Sequence, residues 1–414
     1  MKYKKINSLI FNLTLGRIDE AESIVKSAER EGMPIDWEAL VDLAAYHGVA
    51  SIIYKNIKDI KPRFVDNSFL SEIESYYYGI AGKNTNYFAE MDKILLTLND
   101  SGVDTILLKG AALGETVYNN IALRPIEDID LLVKRFDFPA AKAAFKRWGY
   151  DVHEKIFPSR IHKEIEMERH KPFEKYESEL HFFDKKNRFF FDIHWNLLIV
   201  CESGIAEAIQ LNMDKIWQRI KEISTGEAYA YTMSDEDNLI YLCLHLRERH
   251  FEKARSRLIW WYDVYMLLKQ SLNTLDCAYF LNTVSEYGAE KSVFSIIKTV
   301  KTLFGIELPK EIDDAIGDDI ETFELNKLIP EPTDQIKYQR VFVERDYLAE
   351  IKNIKGITKK IRILIGDIFP DSRYMVSYYR IENKALLPLY YLIRFKNVLI
   401  KGLKAANQLI KNNQ

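Results

Sequence analysis

Apolar residues along the chain keep a helical period at both ends and lose it in between. In Trp37–Tyr46 they recur at i, i+3, i+4 and i+7, with Asp36 placed as N-cap, and residues 1–97 read as helical throughout. Residues 69–100 predict a Tyr-rich helix and then a second one beginning at Phe88. From 98 to 203 short apolar runs alternate with turns. They predict strands at 104–108, 127–133, 179–183 and 188–195, a short one at 151–154, and helices at 111–118 and 138–148, the latter ended by Gly149. Lys185-Lys186-Asn187 reads as a hairpin turn that brings the fourth strand beside the second. From 204 to 414 the pattern is helical again, with a capping sequence Ser234-Asp235-Glu236-Asp237 and a helix over 257–269. The expected fold is α+β, a mixed sheet with helices on one face, flanked by N- and C-terminal helical regions.

Composition narrows the class. A chain of 414 residues, 47% hydrophobic and 29% charged, is long enough for two or three domains and a sizeable core. Its net charge of −3 argues against a nucleic-acid-binding protein as a whole. Residues 373–414, however, hold eight Lys or Arg against one acid, so this tail is +7 and the rest −10. Cys201, Cys243 and Cys277 are too few and scattered for a disulfide framework or a zinc cluster, and a reducing cytoplasm is expected. No stretch has the roughly 18 uninterrupted apolar residues of a membrane span. Neither a GxxxxGK[ST] loop nor a GxGxxG fingerprint occurs, which removes support for P-loop ATPase and Rossmann readings.

The candidate chemistry lies in Leu107 to Val133 and in Phe189 to Trp195. Asp128 and Asp130 stand at i, i+2 on a predicted strand, so both side chains point the same way. Two carboxylates so close repel each other, and a cation that neutralises them explains the pair. Asp192 sits at the centre of FFFDIHW and shares its face with His194, opposite Phe191, Ile193 and Trp195. A charge in so apolar a strand requires a partner. A third acid completes a set able to hold two divalent ions roughly 4 Å apart, an arrangement suited to phosphoryl or nucleotidyl transfer.

At these residues the chain resembles the nucleotidyltransferase superfamily related to DNA polymerase beta. It more closely resembles a bacterial family of uncharacterised nucleotidyltransferases, through Leu108-Lys109-Gly110-Ala111-Ala112-Leu113, Arg124, Asp128-Ile129-Asp130-Leu131-Leu132-Val133 and Asp192-Ile193-His194-Trp195. The resemblance implies a polymerase-beta-like core and transfer of a nucleoside monophosphate from a nucleoside triphosphate, expected to be ATP, with release of pyrophosphate. It implies two Mg²⁺ or Mn²⁺ ions held by Asp128, Asp130 and Asp192, with Asp192 on the acceptor side. Lys109, Gly110 and Ala111 would cradle the phosphates. Arg124 would contact phosphate or orient the aspartates, where the residues alone also allow a surface pair with Glu127, and His194 would lie near the metals or bond a carboxylate. The acceptor is expected to be a small molecule, a sugar phosphate or a protein rather than nucleic acid. Ala111 departs from the Gly or Ser usual in the superfamily, which keeps a non-catalytic nucleotide-binding or scaffold protein open as the alternative.

Other residues carry two readings each. Residues 155–178, with Arg160, His162, Arg169 and His170, are a loop or a lid over the substrate. The family resemblance implies that His181, on the hairpin, is a stronger functional candidate than these histidines. His47, at a helix end beside Gly48, is expected to be structural. His245, His250 and Asp263 lack the adjacent His-Asp pair of a phosphohydrolase metal site, and Arg257 and Asp263 either face the cleft or pair with each other. The basic tail packs on the helical region or touches an anionic membrane surface or a biosynthetic complex.

Overall fold

The computed structural model describes residues 2–152, 179–184, 188–197, 211–247, 256–329, 357, 369, 372, 375, 379, 381 and 383–396. The chain divides into two compact units, one comprising residues 1–152, 181–195 and 213–341, the other 153–180, 196–212 and 342–414.

The first unit opens with five helices: α1 (Lys2–Leu15), α2 (Ile18–Arg30), α3 (Trp37–Tyr46), α4 (Ala50–Ile57) and α5 (Asn67–Asp100). Asp36 caps α3 as expected, accepting the Ala39 N–H at 3.1 Å. The two helices expected over 69–100 are instead one helix of 34 residues. The polar run Lys83-Asn84-Thr85-Asn86 resembles a break, yet it contains no proline, and Asn84 is fully buried with its amide engaged by a neighbouring loop. Tertiary hydrogen bonding thus overrides a weak local preference.

The mixed region follows. It comprises β1 (Thr105–Leu107), α6 (Lys109–Leu113) widening into a π turn over Gly114–Tyr118, β2 (Ile129–Val133), α7 (Phe138–Arg147), β3 (Tyr150–Val152), β4 (Glu179–Asp184) and β5 (Phe190–His194). Then come α8 (Met213–Trp217), β6 (Lys221–Thr225), β7 (Ala228–Thr232) and the helices α9 (Asp235–Leu244), α10 (Leu258–Ser271), α11 (Cys277–Glu286) and α12 (Glu290–Val300).

Seven strands form one mixed sheet in the order β3-β4-β5-β2-β1-β7-β6. β2 is antiparallel to β1 and parallel to β5, while β1 is parallel to β7. Every residue of β1 and β2 is buried, so these strands form the sheet's centre. The hairpin β6–β7 lies past residue 203 and was not expected. Its edge strand exposes Lys221, Glu222 and Ser224, which hides the strand pattern behind polar residues.

Alternation along β5 does the sorting needed for a site. Phe191 and Ile193 are fully buried, with Phe191 in an aromatic cluster whose ring centroids lie 5.2 Å from Phe145 and 5.4 Å from Tyr150. Asp192 and His194 therefore emerge on the opposite face. Trp195 closes the strand against Phe138 at the start of α7, centroids 4.5 Å apart.

In the second unit, the described helix over 387–396 sets Tyr390 against Tyr379, ring centroids 5.3 Å apart and tilted by 46°, and exposes Leu389 and Leu392. Residues 155–178 with Arg160, His162, Arg169 and His170, and also Cys201, His250 and much of the basic tail, lie outside the described residues. Among the described residues no helix is long and apolar enough to cross a membrane.

Candidate active site

The register of the sheet brings the predicted carboxylates together. Ile129 pairs with Phe191 and Asp130 with Asp192 across the parallel strands β2 and β5. Asp128 immediately precedes β2, two residues from Asp130, and is exposed, whereas Asp130 is 3% exposed. One deep and one shallow carboxylate thus rise from the same strand end, with a third on the neighbouring strand.

Each of the two deeper carboxylates has a basic partner. Oδ1 of Asp130 accepts from Lys109 Nζ at 2.6 Å and lies 2.9 Å from His194 Nε2. Asp192 Oδ1 is hydrogen-bonded to Nδ1 of His181, which reaches it from β4. Burial opposes ionisation of Asp130, but the Lys109 ammonium and the His194 hydrogen bond hold its carboxyl below the usual carboxylate range. Asp128 shows the opposite effect. The residue as a whole reaches solvent, but its carboxyl is crowded by the surrounding elements, and this crowding, then the negative charges of Asp130 and Asp192, pushes it up to about 7.

Lys109 occupies an unusual place. β1 ends at Leu107, Leu108 donates its N–H to the Asp130 carbonyl at 3.0 Å, and Lys109 then turns the chain into α6 with φ +49°. A non-glycine residue in left-handed backbone is uncommon and costs energy, which the surrounding contacts offset. Gly110 and Ala111 follow as buried residues of the first helical turn. A methyl on Gly110 would touch Arg124 Nη1 at 3.4 Å, so the glycine lets the helix start lie against the guanidinium.

Arg124 itself is turned away from the carboxylates. Its Nε and Nη2 form a fork on Asp263 of α10, both at 2.8 Å, and Nη1 donates to the Pro125 carbonyl at 2.6 Å. Although burial works against it, the Asp263 carboxylate raises the Arg124 pKa further. Tyr118, at the end of the π turn, donates to the same carboxylate at 2.7 Å. Asp263 and Arg257 therefore do not pair with each other, and Asp263 serves this buried network. Arg257 donates to Glu127 at 2.7 Å and to the Tyr46 carbonyl at 2.7 Å.

The loop between Tyr118 and Asp128 is clamped from its other side by α5. Asn84 donates to the Arg124 carbonyl at 2.8 Å and accepts from the Ile126 N–H at 3.3 Å, and Tyr87 donates to the Glu127 carbonyl at 2.8 Å. Asn84, Tyr87 and Tyr118 were not singled out by the sequence reading. Their roles depend on the fold of a loop with no local pattern. Asp263, by contrast, is a lone acid in the apolar run Leu258–Leu268, and burial of such a charge signals a required partner.

His47 is structural, as expected. Its Nδ1 accepts the Leu258 N–H at 3.1 Å and its carbonyl accepts the Ile259 N–H at 3.1 Å, so α3 caps the first turn of α10. Burial, then the nearby Arg257 charge, lowers its pKa to about 3 and keeps the ring neutral.

Asp128, Asp130, Asp192, Lys109 and His194 thus converge, joined by His181. Among the described residues no three carboxylate, imidazole or thiolate side chains form a ready-made ligand cluster. The residues nonetheless fit a divalent ion electrostatically, since Asp128 is left facing two other carboxylates and Asp130 already draws a cationic side chain. A family model described as uncharacterised nucleotidyltransferase matches residues 33–305, a span that takes in α3 through α12 and all seven strands. No curated protein matches the chain significantly.

Proposed function

Since the chain belongs to the uncharacterised nucleotidyltransferase family, we propose that it moves a nucleoside monophosphate from a nucleoside triphosphate to an acceptor hydroxyl in an Mg²⁺- or Mn²⁺-dependent reaction. The acceptor oxygen bonds to the α-phosphorus, the bond from that phosphorus to the bridging oxygen breaks, and pyrophosphate leaves. The observation that carries this reading is the Asp130–Asp192 register with Asp128 two residues upstream, three carboxylates delivered by adjacent strand ends.

Asp128, Asp130 and Asp192 would hold the ions, which when bound neutralise phosphate charge and acidify the acceptor hydroxyl. Asp192 takes the acceptor's proton, with His181 fixing the orientation of its carboxylate. His194 braces Asp130 from below. Lys109 directs an ammonium at the triphosphate, and the backbone at the start of α6, around Gly110 and Ala111, takes the phosphate side. Arg124 acts from behind, holding Gly110 and the loop that ends at Asp128 in place through Asp263. ATP is the expected donor.

Thermal shift with each nucleoside triphosphate and Mg²⁺ or Mn²⁺ tests the assignment. Stabilisation should grow as RT ln(1 + [L]/Kd), require the metal, and vanish in Asp128→Asn/Asp130→Asn. Folded protein that no metal–nucleotide pair stabilises counts against it, and favours a scaffold that keeps the fold without the chemistry.

A further inference from the structure

Lys109 and Asp130 form a close ion pair in a part of the cleft that water reaches poorly. Their side chains are 16% and 4% exposed, and Nζ lies 2.6 Å from Oδ1. The same oxygen is shared with His194, so Oδ1 of Asp130 is already occupied by two protein groups. Lys109 is also the residue where β1 gives way to α6, in left-handed backbone fixed by the Leu108–Asp130 backbone hydrogen bond. Its anchor is therefore rigid while its four-carbon stem remains able to swing.

We infer that Lys109 is the site's internal counter-ion: its ammonium occupies Asp130 until a nucleoside triphosphate draws it away, so that a divalent ion alone binds weakly and ion and nucleotide enter together. This rests on the metal-dependent nucleotidyl-transfer reading above. A divalent ion approaching Asp130 meets a resident positive charge at ion-pair distance, and at short range in a poorly hydrated cleft that repulsion is strong. Triphosphate oxygens offer the ammonium an alternative anion of higher charge. Moving Lys109 onto them frees Asp130 at the moment the nucleotide brings its own ion.

The signature is a pair of opposite effects from one substitution. Binding of Mn²⁺ to the full chain without nucleotide, read from the loss of the free-ion electron paramagnetic resonance signal, should be about ten-fold tighter in Lys109→Met than in wild type. Lys109→Arg, which keeps the charge, should bind Mn²⁺ as weakly as wild type. Nucleoside triphosphate binding in the presence of Mn²⁺, read by thermal shift, should be weaker in Lys109→Met. A residue that merely supports the fold would move both affinities down. Lys109→Gln serves as second variant should the methionine chain fail to fold by circular dichroism.

Mn²⁺ affinity in Lys109→Met and Lys109→Gln no higher than wild type overturns the counter-ion role, even where wild type binds Mn²⁺ with nucleotide and Asp130→Asn does not. Absence of any Mn²⁺–nucleotide binding in wild type is a different outcome, and overturns the nucleotidyl-transfer reading together with the inference built on it.

Discussion

Asp130 on β2 and Asp192 on β5 stand directly beside each other in parallel register, each held by a basic side chain from a different element. Lys109 comes from the β1–α6 junction, His194 from β5 and His181 from β4. The sheet therefore supplies both the charges and the groups that restrain them. Asp128 is pushed up to about 7 by its surroundings and its acidic neighbours.

Breaking the buried Arg124–Asp263 pair should be costly. Asp263→Leu leaves the guanidinium without its carboxylate, and Arg124→Met does the reverse. Each should lower unfolding free energy by about 3–5 kcal/mol in urea, while the double variant should lose clearly less than the sum. Additive losses would show that the two residues act independently.

Asn84→Ala removes a buried side chain that bonds both a carbonyl and an N–H of the loop leading to Asp128. A stability loss of about 2 kcal/mol is expected. Metal–nucleotide affinity should fall with it, since the loop positions Asp128. Unchanged affinity in the folded variant would mean that α5 does not set the position of the carboxylates.

His47 gives a pH dependence with a defined sign. Its folded pKa, about 3, lies below the ordinary value of 6.5, so the unfolded chain takes up the proton first as pH falls. Stability should therefore decline as pH drops from 6.5 towards 3, with a slope of up to about 1.4 kcal/mol per pH unit from this group. Above 6.5 the residue contributes no slope. Chemical denaturation across that window should show a shallower decline for His47→Gln, and equal slopes would contradict the assignment.

Gly226 turns the β6–β7 hairpin with φ +65°, and a Cβ there would lie 2.2 Å from Asp92 Oδ2. Gly226→Ala should cost about 1 kcal/mol or more, from backbone strain and displacement of that carboxylate. Differential scanning calorimetry showing no loss would mean that the turn relaxes freely.

The strands that carry the carboxylates were legible because β5 alternates so sharply: Phe191 and Ile193 can only face the core, which sends Asp192 and His194 to the other side. The expected pairing of the strands over 179–183 and 188–195 is found, since β4 and β5 are neighbours and β5 lies beside β2, while the turn read at Lys185-Lys186-Asn187 lies outside the described residues. Local pattern could not reveal that β7 runs beside β1, since that pairing joins segments more than a hundred residues apart. Nor could it show that α5 is a single rod, because only the buried bonds of Asn84 make helix the better choice there. Arg124 carried a conspicuous motif position, but its partner Asp263 arrives from a distant helix, and sequence alone left phosphate and protein as equal claimants.

The most direct measurement is the fate of the α-phosphate. Protein incubated with Mg²⁺ or Mn²⁺, a host-cell extract as acceptor source and a nucleoside triphosphate labelled at the α-phosphorus should transfer that label and release unlabelled pyrophosphate, and Asp192→Asn should abolish both. Retention of the α-label on nucleoside diphosphate, with no pyrophosphate released, would contradict nucleotidyl transfer at Asp128, Asp130 and Asp192.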